Sequence, residues 1–399
     1  MAKVILHIDL NAFFVRCEEL NDPSLVGKPV IIGHSGRGGV VSTCSYKARE
    51  FGVRSGMPTF QALKLCPNAI VIPGHYQLYS QKSHEFINFV KKHSTIIEQA
   101  SIDECYVDMT KTLSNVKNPL EYIKNMQDSL YRETGLMCSI GVAPTKFLAK
   151  MGSDYKKPMG ITIIHRKDIA RILYPLPIES FFGIGKKTAP KLRQMGINTI
   201  GDLAKLINED NPATKKEFGK FYYGIKEWIN GYGSDEVETE PWDPKSIGNS
   251  TTFKFDTNNF EEIKEYIRGL SKEVSERAKE ANKVGYSVQL VLKDDEFKVI
   301  NRSKKLSKPT NDFLEIFDVA SQLLEANLSD KMIRLAGVTL QNLIDPSEVV
   351  IQMSIFDNYE EIKEECATKL LIAELNRKMK KPVFKTAAES LRDKKYETR

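Results

Sequence analysis

The chain has 399 residues, 41% of them hydrophobic, and Lys plus Arg outnumber Asp plus Glu by 58 to 52, which gives a formal net charge of +6. This length and composition exclude a disordered chain and predict roughly two to four globular domains, while the mild positive charge allows a polyanionic partner without requiring one. Six cysteines without a Cys-x-x-Cys pair indicate neither a zinc site nor a disulfide framework, and no apolar run approaches the roughly 18 residues of a membrane span. We therefore expect reduced thiols and a cytoplasmic location.

The first 165 residues mix short apolar strands with amphipathic helices. Strand patterns include KVILHIDL, KPVIIG, GVVSTCSY, IEQASIDECYVDM and MCSIGVA, and helical spacing is found in SYKAREFGVRSG and PLEYIKNMQDSLYRETG. This mixture predicts an α/β or α+β body. From about 167 to 233 the strand patterns stop, and turns such as FGIGKK separate helical stretches, which predicts a small all-α domain.

The second half of the chain begins with a segment that is rich in Gly, Pro, Ser and acidic residues, NGYGSDEVETEPWDPKSIGNS, as is typical of a linker. Residues 247–343 then follow the order strand, helix, strand, strand, helix, strand, which predicts a second α+β domain. Beyond it lie the segment DPSEVVIQMSIFDNYEE and a lysine-rich, partly helical tail.

Three acidic residues stand in or at the end of apolar strands. Asp9 ends the opening strand, and Asp103 and Glu104 are adjacent within SIDECYVDM, where we expect a buried strand. Carboxylates that converge at neighbouring strand ends repel one another unless cations neutralise them. Magnesium suits carboxylates together with substrate phosphates, so the pattern predicts a magnesium site. The alternative is that each acid is a solvated strand end, which an adjacent acidic pair makes less favourable.

Seven stretches in order resemble the Y-family translesion DNA polymerases, in particular the bacterial DNA polymerase IV (DinB) branch. They are HIDLNAFFVRCEE, KPVIIG, GVVSTCSYKAREFGVRSGMP, SIDECYVD, CSIGVAPTKFLAKMGSDYKKPMGI, FGIGKKTAPKL and IGNSTTF, and they span roughly residues 4–343. The resemblance implies a multidomain α+β right-hand polymerase. Its expected parts are a palm (1–10 and 78–166), small fingers (11–77), a helical thumb with a helix-hairpin-helix (167–233), a linker (234–246), an α+β little finger (247–343) and a C-terminal tail (344–399).

The resemblance also implies the reaction, which is template-directed transfer of a deoxynucleotide to a primer 3′-hydroxyl with low fidelity and without proofreading. Asp9, Asp103 and Glu104 match the catalytic acids that hold two Mg²⁺ ions, helped by the backbone carbonyl of Leu10, with Mn²⁺ as an alternative metal. Primer-template DNA and dNTPs are the expected substrates of a monomeric enzyme. Two other readings stay open from the residues alone, a two-metal phosphodiesterase or nuclease and a non-catalytic DNA-bound subunit.

The expected nucleotide contacts lie in three places. Thr43, Tyr46 and Arg49 in TCSYKAR and Lys157 in KKPMG match family residues that reach the triphosphate. Tyr46 and Arg49 share a face in helical geometry, although a surface helix with a half-buried tyrosine would show the same pattern. Phe14 matches the steric gate that excludes a ribose 2′-hydroxyl. The neighbouring Phe13 completes the set and is expected to pack mainly in the core.

Two further segments are expected to contact DNA phosphates without reading sequence. One is the GIG turn of a helix-hairpin-helix, and the other is the acid-free stretch NRSKKLSKPT, whose alternation would place part of its basic set on one face. A helix-linking turn and a solvated basic loop are the respective alternatives. The residues are Gly183, Gly185, Lys186, Lys187, Arg302, Lys304, Lys305 and Lys308.

The segment IQMSIFD resembles the peptide by which this family binds the bacterial sliding clamp (the β subunit). Its anchor residues would be Gln352, Ser354, Ile355 and Phe356. Acidic and Pro-containing surroundings fit a free peptide, whereas a short buried strand is the alternative.

Overall fold

A computed structural model describes residues 3–240 and 242–349, together with isolated positions between 364 and 390. The chain divides into two compact units, Met1–Pro241 and Trp242–Arg399. We use the names palm, fingers, thumb and little finger for their parts. The anchor residues 352–356 of the expected clamp peptide lie outside the described residues. No helix in the described ranges is long and apolar enough to cross a membrane.

The first unit contains two sheets and a set of short and medium helices. Its strands are β1 (Ile5–Leu10), β2 (Val30–Gly33), β3 (Val41–Cys44), β4 (Ile70–Ile72), β5 (Ile97–Gln99), β6 (Glu104–Asp108), β7 (Cys138–Ala143) and β8 (Ile161–Ile163). Its helices are α1 (Phe13–Asn21), α2 (Tyr46–Glu50), α3 (Thr59–Leu65), α4 (Tyr76–Lys91), α5 (Thr110–Ser114), α6 (Pro119–Thr134), α7 (Lys146–Tyr155), α8 (Ile169–Ile172), α9 (Thr188–Gln194), α10 (Ile200–Asn208), α11 (Pro212–Phe218) and α12 (Tyr222–Ile229).

The palm is a five-stranded sheet of order β5-β6-β1-β7-β8. Strand β1 pairs antiparallel with β6 and with β7, and all of its residues are buried. Because successive side chains alternate between the faces of a strand, Leu6 and Ile8 enter the core that also holds residues of α1, α4 and α6, whereas Ile5 enters the core shared with α7 and the thumb. His7 and Asp9 have the same parity as Ile5 and therefore face α7.

Helix α7 lies directly against the sheet because two glycines allow a close approach. A Cβ built on Gly141 of β7 would stand 1.8 Å from the Ala149 carbonyl oxygen, and one on Gly152 of α7 would stand 3.0 Å from the Gly141 Cα. Thr145 caps the N-terminus of the helix, and its hydroxyl accepts a hydrogen bond from the Leu148 amide. This packing brings one face of α7 onto the polar side chains of β1.

The fingers are built on a small sheet of order β3-β2-β4. Ile31, Val41 and Cys44 from the sheet form a core with Ala48 of α2 and Ala62 of α3. The five cysteines in the described part of the chain are free and buried, and burial raises the pKa of several of their thiols.

The thumb consists of α8–α12 around a core that includes Leu192, Leu203 and Tyr222. The segment that follows it was expected to be a linker from residue 234 onward, but its beginning is bonded to the palm. The Ser234 carbonyl accepts a hydrogen bond from the Lys146 amide at 3.0 Å, and the Glu238 amide donates to Glu98 Oε2 at 2.9 Å. Backbone groups at the start of this segment therefore form hydrogen bonds with the palm, and amino-acid composition alone does not show such contacts.

The second unit contains a four-stranded sheet of order β11-β10-β12-β9. Its elements are β9 (Ser246–Thr257), α13 (Phe260–Glu280), β10 (Val284–Asp294), β11 (Val299–Thr310), α14 (Phe313–Asn327) and β12 (Ile333–Ile344). Val288, Leu290 and Val338 on one sheet face join Ile263 of α13 and Ile316 of α14 in a single core. This order of elements matches the predicted α+β domain.

Candidate active site

The three acids expected at the site come together on the palm sheet. Asp9 pairs with Glu104 across β1 and β6, so these two side chains share the sheet face that carries α7. The Leu10 amide donates to the Asp103 carbonyl at 2.9 Å. The sequence predicts Asp103 within a strand, but Asp103 lies in the bend just before β6. Strand alternation therefore does not separate Asp103 from Glu104.

Two lysines neutralise part of this cluster. Lys150 Nζ of α7 donates to Asp9 Oδ2 at 3.0 Å and to Glu104 Oε2 at 2.7 Å. Lys157, which was expected to reach the triphosphate, lies 2.7 Å from Asp9 Oδ1 and 2.8 Å from Asp154 Oδ1. Burial opposes the charged form of Lys150, but the adjacent carboxylates outweigh it and raise its pKa. Sequence reasoning missed Lys150 because only the packing of α7 on β1 brings it to the acids.

The carboxylates of Asp103 and Glu104 differ in their surroundings. His7 and Lys150 stand beside Glu104 and lower its pKa to about 2. Burial raises the pKa of Asp103, and the charges of Asp9 and Glu104 raise it further. The Ser101 hydroxyl donates to Asp103 Oδ1 at 2.7 Å, and among the described residues no lysine or arginine forms an ion pair with it. Asp103 is thus a half-buried acid without a cationic partner in the described part of the chain.

His7 forms the floor of the site and was also missed from the sequence. It is fully buried, its Nδ1 lies 2.8 Å from Ser153 Oγ, and its Nε2 lies 3.4 Å from Glu104 Oε2. One donor atom each from His7, Asp9 and Glu104 lie within 4.8 Å of one another. The neighbouring Asp103 adds a further carboxylate, so the set is rich in the hard oxygen ligands that suit a divalent cation such as Mg²⁺.

The expected triphosphate contacts on the fingers lie on β3 and α2. The Arg49 guanidinium carbon lies 4.7 Å from the centre of the Tyr46 ring, so these two residues share a face of α2 as predicted. Burial raises the pKa of Tyr46. The charges of Arg49 and Lys157 act to lower this pKa, and the charge of Asp9 acts to raise it. The Tyr46 hydroxyl is buried and makes no hydrogen bond within the described ranges. Thr43 is half-buried on the adjacent β3.

The two phenylalanines have different environments. Phe13 is 3% exposed and belongs to the palm core. Phe14 is half-buried, stacks on Tyr79 of α4 with a centroid distance of 4.2 Å and an interplanar angle of 11°, and meets Tyr76 edge-on at 6.0 Å. The preceding Ala12 adopts a left-handed conformation with φ of 46°, which turns the chain sharply from β1 into α1.

The expected DNA contacts of the thumb are exposed at the tip of a hairpin. Ile184 is buried between Gly183 and Gly185, whereas both glycines, Lys186 and Lys187 are exposed. Gly183 has a φ of 97°, which favours glycine. No atom lies within 4 Å of a Cβ built on either glycine, so the backbone at this tip is accessible.

The basic residues of β11 are all exposed but lie on different faces of the strand. Arg302 Nε donates to Asn327 Oδ1 at 2.9 Å, and Lys304 Nζ donates to Gln322 Oε1 at 2.7 Å, so both extend toward α14. Lys305 pairs in register with Ser287, on the opposite face. Lys308 is exposed further along the strand.

A carboxylate cluster at the ends of central palm strands, with Lys150 and Lys157 bound to it and the hydroxyl-bearing Tyr46 of the fingers nearby, is the arrangement of a nucleotidyltransferase of the right-hand polymerase class. Sequence comparison agrees. The impB/mucB/samB family matches residues 8–154, its C-terminal domain matches residues 244–355, and the family's helix-hairpin-helix motif matches residues 166–197.

Individual relatives identify the family more closely. DNA polymerase IV of Alkaliphilus oremlandii is 40% identical over 361 residues, which cover 90% of this chain and 89% of the relative. DNA polymerase IV 1 of Halalkalibacterium halodurans is 38% identical over 386 residues, which cover 96% of this chain and 92% of the relative. Among solved structures, a Y-family DNA polymerase chimera superposes with a TM-score of 0.75 at 29% identity, covering 86% of this chain and 99% of its own.

The chain therefore belongs to the Y-family of translesion DNA polymerases, in the bacterial DNA polymerase IV branch. It is a DNA-directed DNA polymerase that depends on a divalent metal and carries out translesion synthesis.

Proposed function

We propose that Asp9, Asp103 and Glu104, with the backbone carbonyl of Leu10, hold two Mg²⁺ ions during nucleotidyl transfer. Bound metal of this kind lowers the pKa of an attacking hydroxyl and stabilises the charge of a triphosphate and its leaving group. Asp9 and Asp103 are the candidates for contact with both ions, and Glu104 for contact with the ion on the primer side. Mn²⁺ has the same preference for oxygen ligands and is a candidate substitute.

The charge balance of the site carries this proposal. Four carboxylates share two ammonium groups, so that two negative charges remain around the buried Asp9, with Asp154 as the exposed member of the set. The carboxylates belong to Asp9, Asp103, Glu104 and Asp154, and the ammonium groups to Lys150 and Lys157. An uncompensated charge in the interior is unfavourable, and a divalent cation is the natural complement.

The remaining groups of the site bind and orient the incoming nucleotide. Arg49 and Lys157 supply positive charge to the triphosphate, and the unpaired Tyr46 hydroxyl and Thr43 supply donors to its oxygens. Phe14 is the gate whose ring lies against the sugar, where a ribose 2′-hydroxyl would clash with it. Phe13 fixes the start of α1 from the core side and so sets the position of this gate.

DNA is held through its phosphates. The exposed hairpin of Gly183, Gly185, Lys186 and Lys187 offers backbone amides and ammonium groups to one strand. In the second unit, Lys305 lies on the sheet face opposite the helices, and Lys308 is exposed near the end of the strand. Arg302 and Lys304 form hydrogen bonds with side chains of α14. Binding of this kind is independent of base sequence.

The clamp peptide at Gln352, Ser354, Ile355 and Phe356 would tether the enzyme to the bacterial sliding clamp. The supporting observation is the sequence itself, since the peptide follows the last strand of the little finger by only a few residues. The substrates, dNTPs and primer-template DNA, lie in the bacterial cytoplasm, and we place the monomeric enzyme there.

A primer-extension assay with Mg²⁺ tests the metal assignment. Asp103→Ala and Glu104→Ala should abolish extension while leaving primer-template affinity close to that of the wild type. Asp128→Ala, which removes an exposed acid of α6, is the matched control and should extend normally. Extension at near wild-type rate by either site variant would contradict the assignment. Cleavage of DNA without added dNTP would instead favour a two-metal nuclease.

A further inference from the structure

A buried acid stands one helical turn beyond the gate. Glu18 is 3% exposed and lies four residues after Phe14 on α1. Residues at this spacing share one face of a helix. Glu18 plays no part in the metal cluster or in the expected phosphate contacts, so its burial needs another explanation.

The carboxylate of Glu18 is held by two side chains at the start of α4. The Tyr79 hydroxyl donates a short hydrogen bond to its Oε1, and His75 Nδ1 lies 2.8 Å from the same oxygen and 3.0 Å from Oε2. Burial raises the pKa of Tyr79, which keeps its hydroxyl protonated and able to donate. Hydrogen bonds to a charged acceptor are stronger than those between neutral groups.

Tyr79 connects this acid to the gate. It is fully buried, and its ring stacks on the Phe14 ring in a nearly parallel arrangement at 4.2 Å. Phe14 has no polar group of its own, so its orientation depends on the rings around it. The ring of Tyr79, by contrast, is fixed at its far end by the bond to Glu18.

We propose that Glu18 is a positioning residue for sugar selection, which acts through Tyr79 to hold the Phe14 ring at the depth that excludes a ribonucleoside triphosphate. This inference rests on the gate role proposed for Phe14. A gate that is free to tilt would admit the additional 2′-hydroxyl, so loosening the support should weaken discrimination without removing the gate.

The test measures the ratio of kcat/KM for dCTP to that for rCTP. Tyr79→Phe keeps the stacked ring and removes its anchoring hydroxyl, and Glu18→Met removes the acceptor; each should lower the ratio by about tenfold. Glu18→Gln retains an oxygen acceptor and should keep most of the selectivity. Tyr76→Phe is the matched control, because Tyr76 also contacts Phe14 but is 59% exposed, and its ratio should not change.

A double variant separates positioning from general damage to the fold. If Tyr79 acts through the gate, Phe14→Ala combined with Tyr79→Phe should show the same ratio as Phe14→Ala alone. Additive losses, or equal losses of dCTP and rCTP use in Tyr79→Phe and Glu18→Met, would overturn the inference.

The gate itself is tested in parallel. An unchanged ratio in Phe14→Ala would overturn both the gate and its proposed support. A collapsed ratio in Phe14→Ala with unchanged ratios in Tyr79→Phe and Glu18→Met would overturn the support alone.

Discussion

Replacing Lys150 by Met removes the ammonium group that joins two acids of the site while preserving the length of the side chain. Its Nζ lies 2.7 Å from Glu104 Oε2 and 3.0 Å from Asp9 Oδ2, and the side chains are only 11–25% exposed. At an effective dielectric constant of about 20 each contact corresponds to roughly 6 kcal/mol of attraction. Desolvation offsets much of this, and loss of one partner from a buried pair costs about 3–5 kcal/mol.

The assay is urea unfolding with EDTA and with saturating Mg²⁺. In EDTA, Lys150→Met should reduce the free energy of unfolding by about 3–5 kcal/mol. Mg²⁺ that binds the carboxylates left without Lys150 should restore part of this free energy of unfolding. The gain is about 2.7 kcal/mol at a Mg²⁺ concentration one hundred times its dissociation constant. The wild type should gain less, since Lys150 already neutralises the acids.

The control is Lys124→Met, which breaks an exposed pair with Asp128 on α6 and should cost less than about 1 kcal/mol with or without metal. The reasoning is refuted if Lys150→Met unfolds in EDTA at the wild-type urea concentration. Equal stabilisation of Lys150→Met and the wild type by Mg²⁺ would also refute it.

Three further changes probe separate parts of the molecule. Asp103→Asn should abolish primer extension and yet raise the metal-free urea midpoint at pH 7. Burial raises the pKa of Asp103, so this acid stabilises the fold only at low pH, and that stabilisation is lost as the pH rises through the folded pKa. A lower midpoint in Asp103→Asn would contradict this reasoning. Gly141→Ala should lower the melting temperature and primer extension together, since its Cβ would meet the backbone of α7, and an unchanged melting temperature would show that α7 can move aside. Deletion of residues 352–356 should remove stimulation by the sliding clamp and leave extension of a bare primer unchanged; equal stimulation would locate the anchor elsewhere.

Residue chemistry within single segments was sufficient to predict which three acids the palm sheet brings together. Asp9, Asp103 and Glu104 stand out because acids are unusual in apolar strands, and the pairing of Asp9 with Glu104 follows once β1 and β6 are neighbours. The order of strands and helices in the second unit likewise follows from its hydrophobic periodicity.

Contacts between distant segments could not be predicted in the same way. Lys150 is 141 residues from Asp9 and resembles any other helical lysine until α7 packs on β1. Glu18 resembles an exposed helix residue in the sequence, and only the position of α4 explains its burial. Alternation along β11 already separates Arg302 from Lys305, but which of them faces the helices depends on packing against α14, which the segment alone does not reveal.

Metal binding by the three carboxylates is tested most directly by anomalous scattering from Mn²⁺ in crystals of the protein with primer-template DNA, a dideoxy-terminated primer and a dNTP. We predict two Mn²⁺ ions about 3.5–4 Å apart, with Asp9 and Asp103 in contact with both and Glu104 in contact with the ion nearer the primer. A single ion, or ions held without Asp103 and Glu104, would contradict the proposed site.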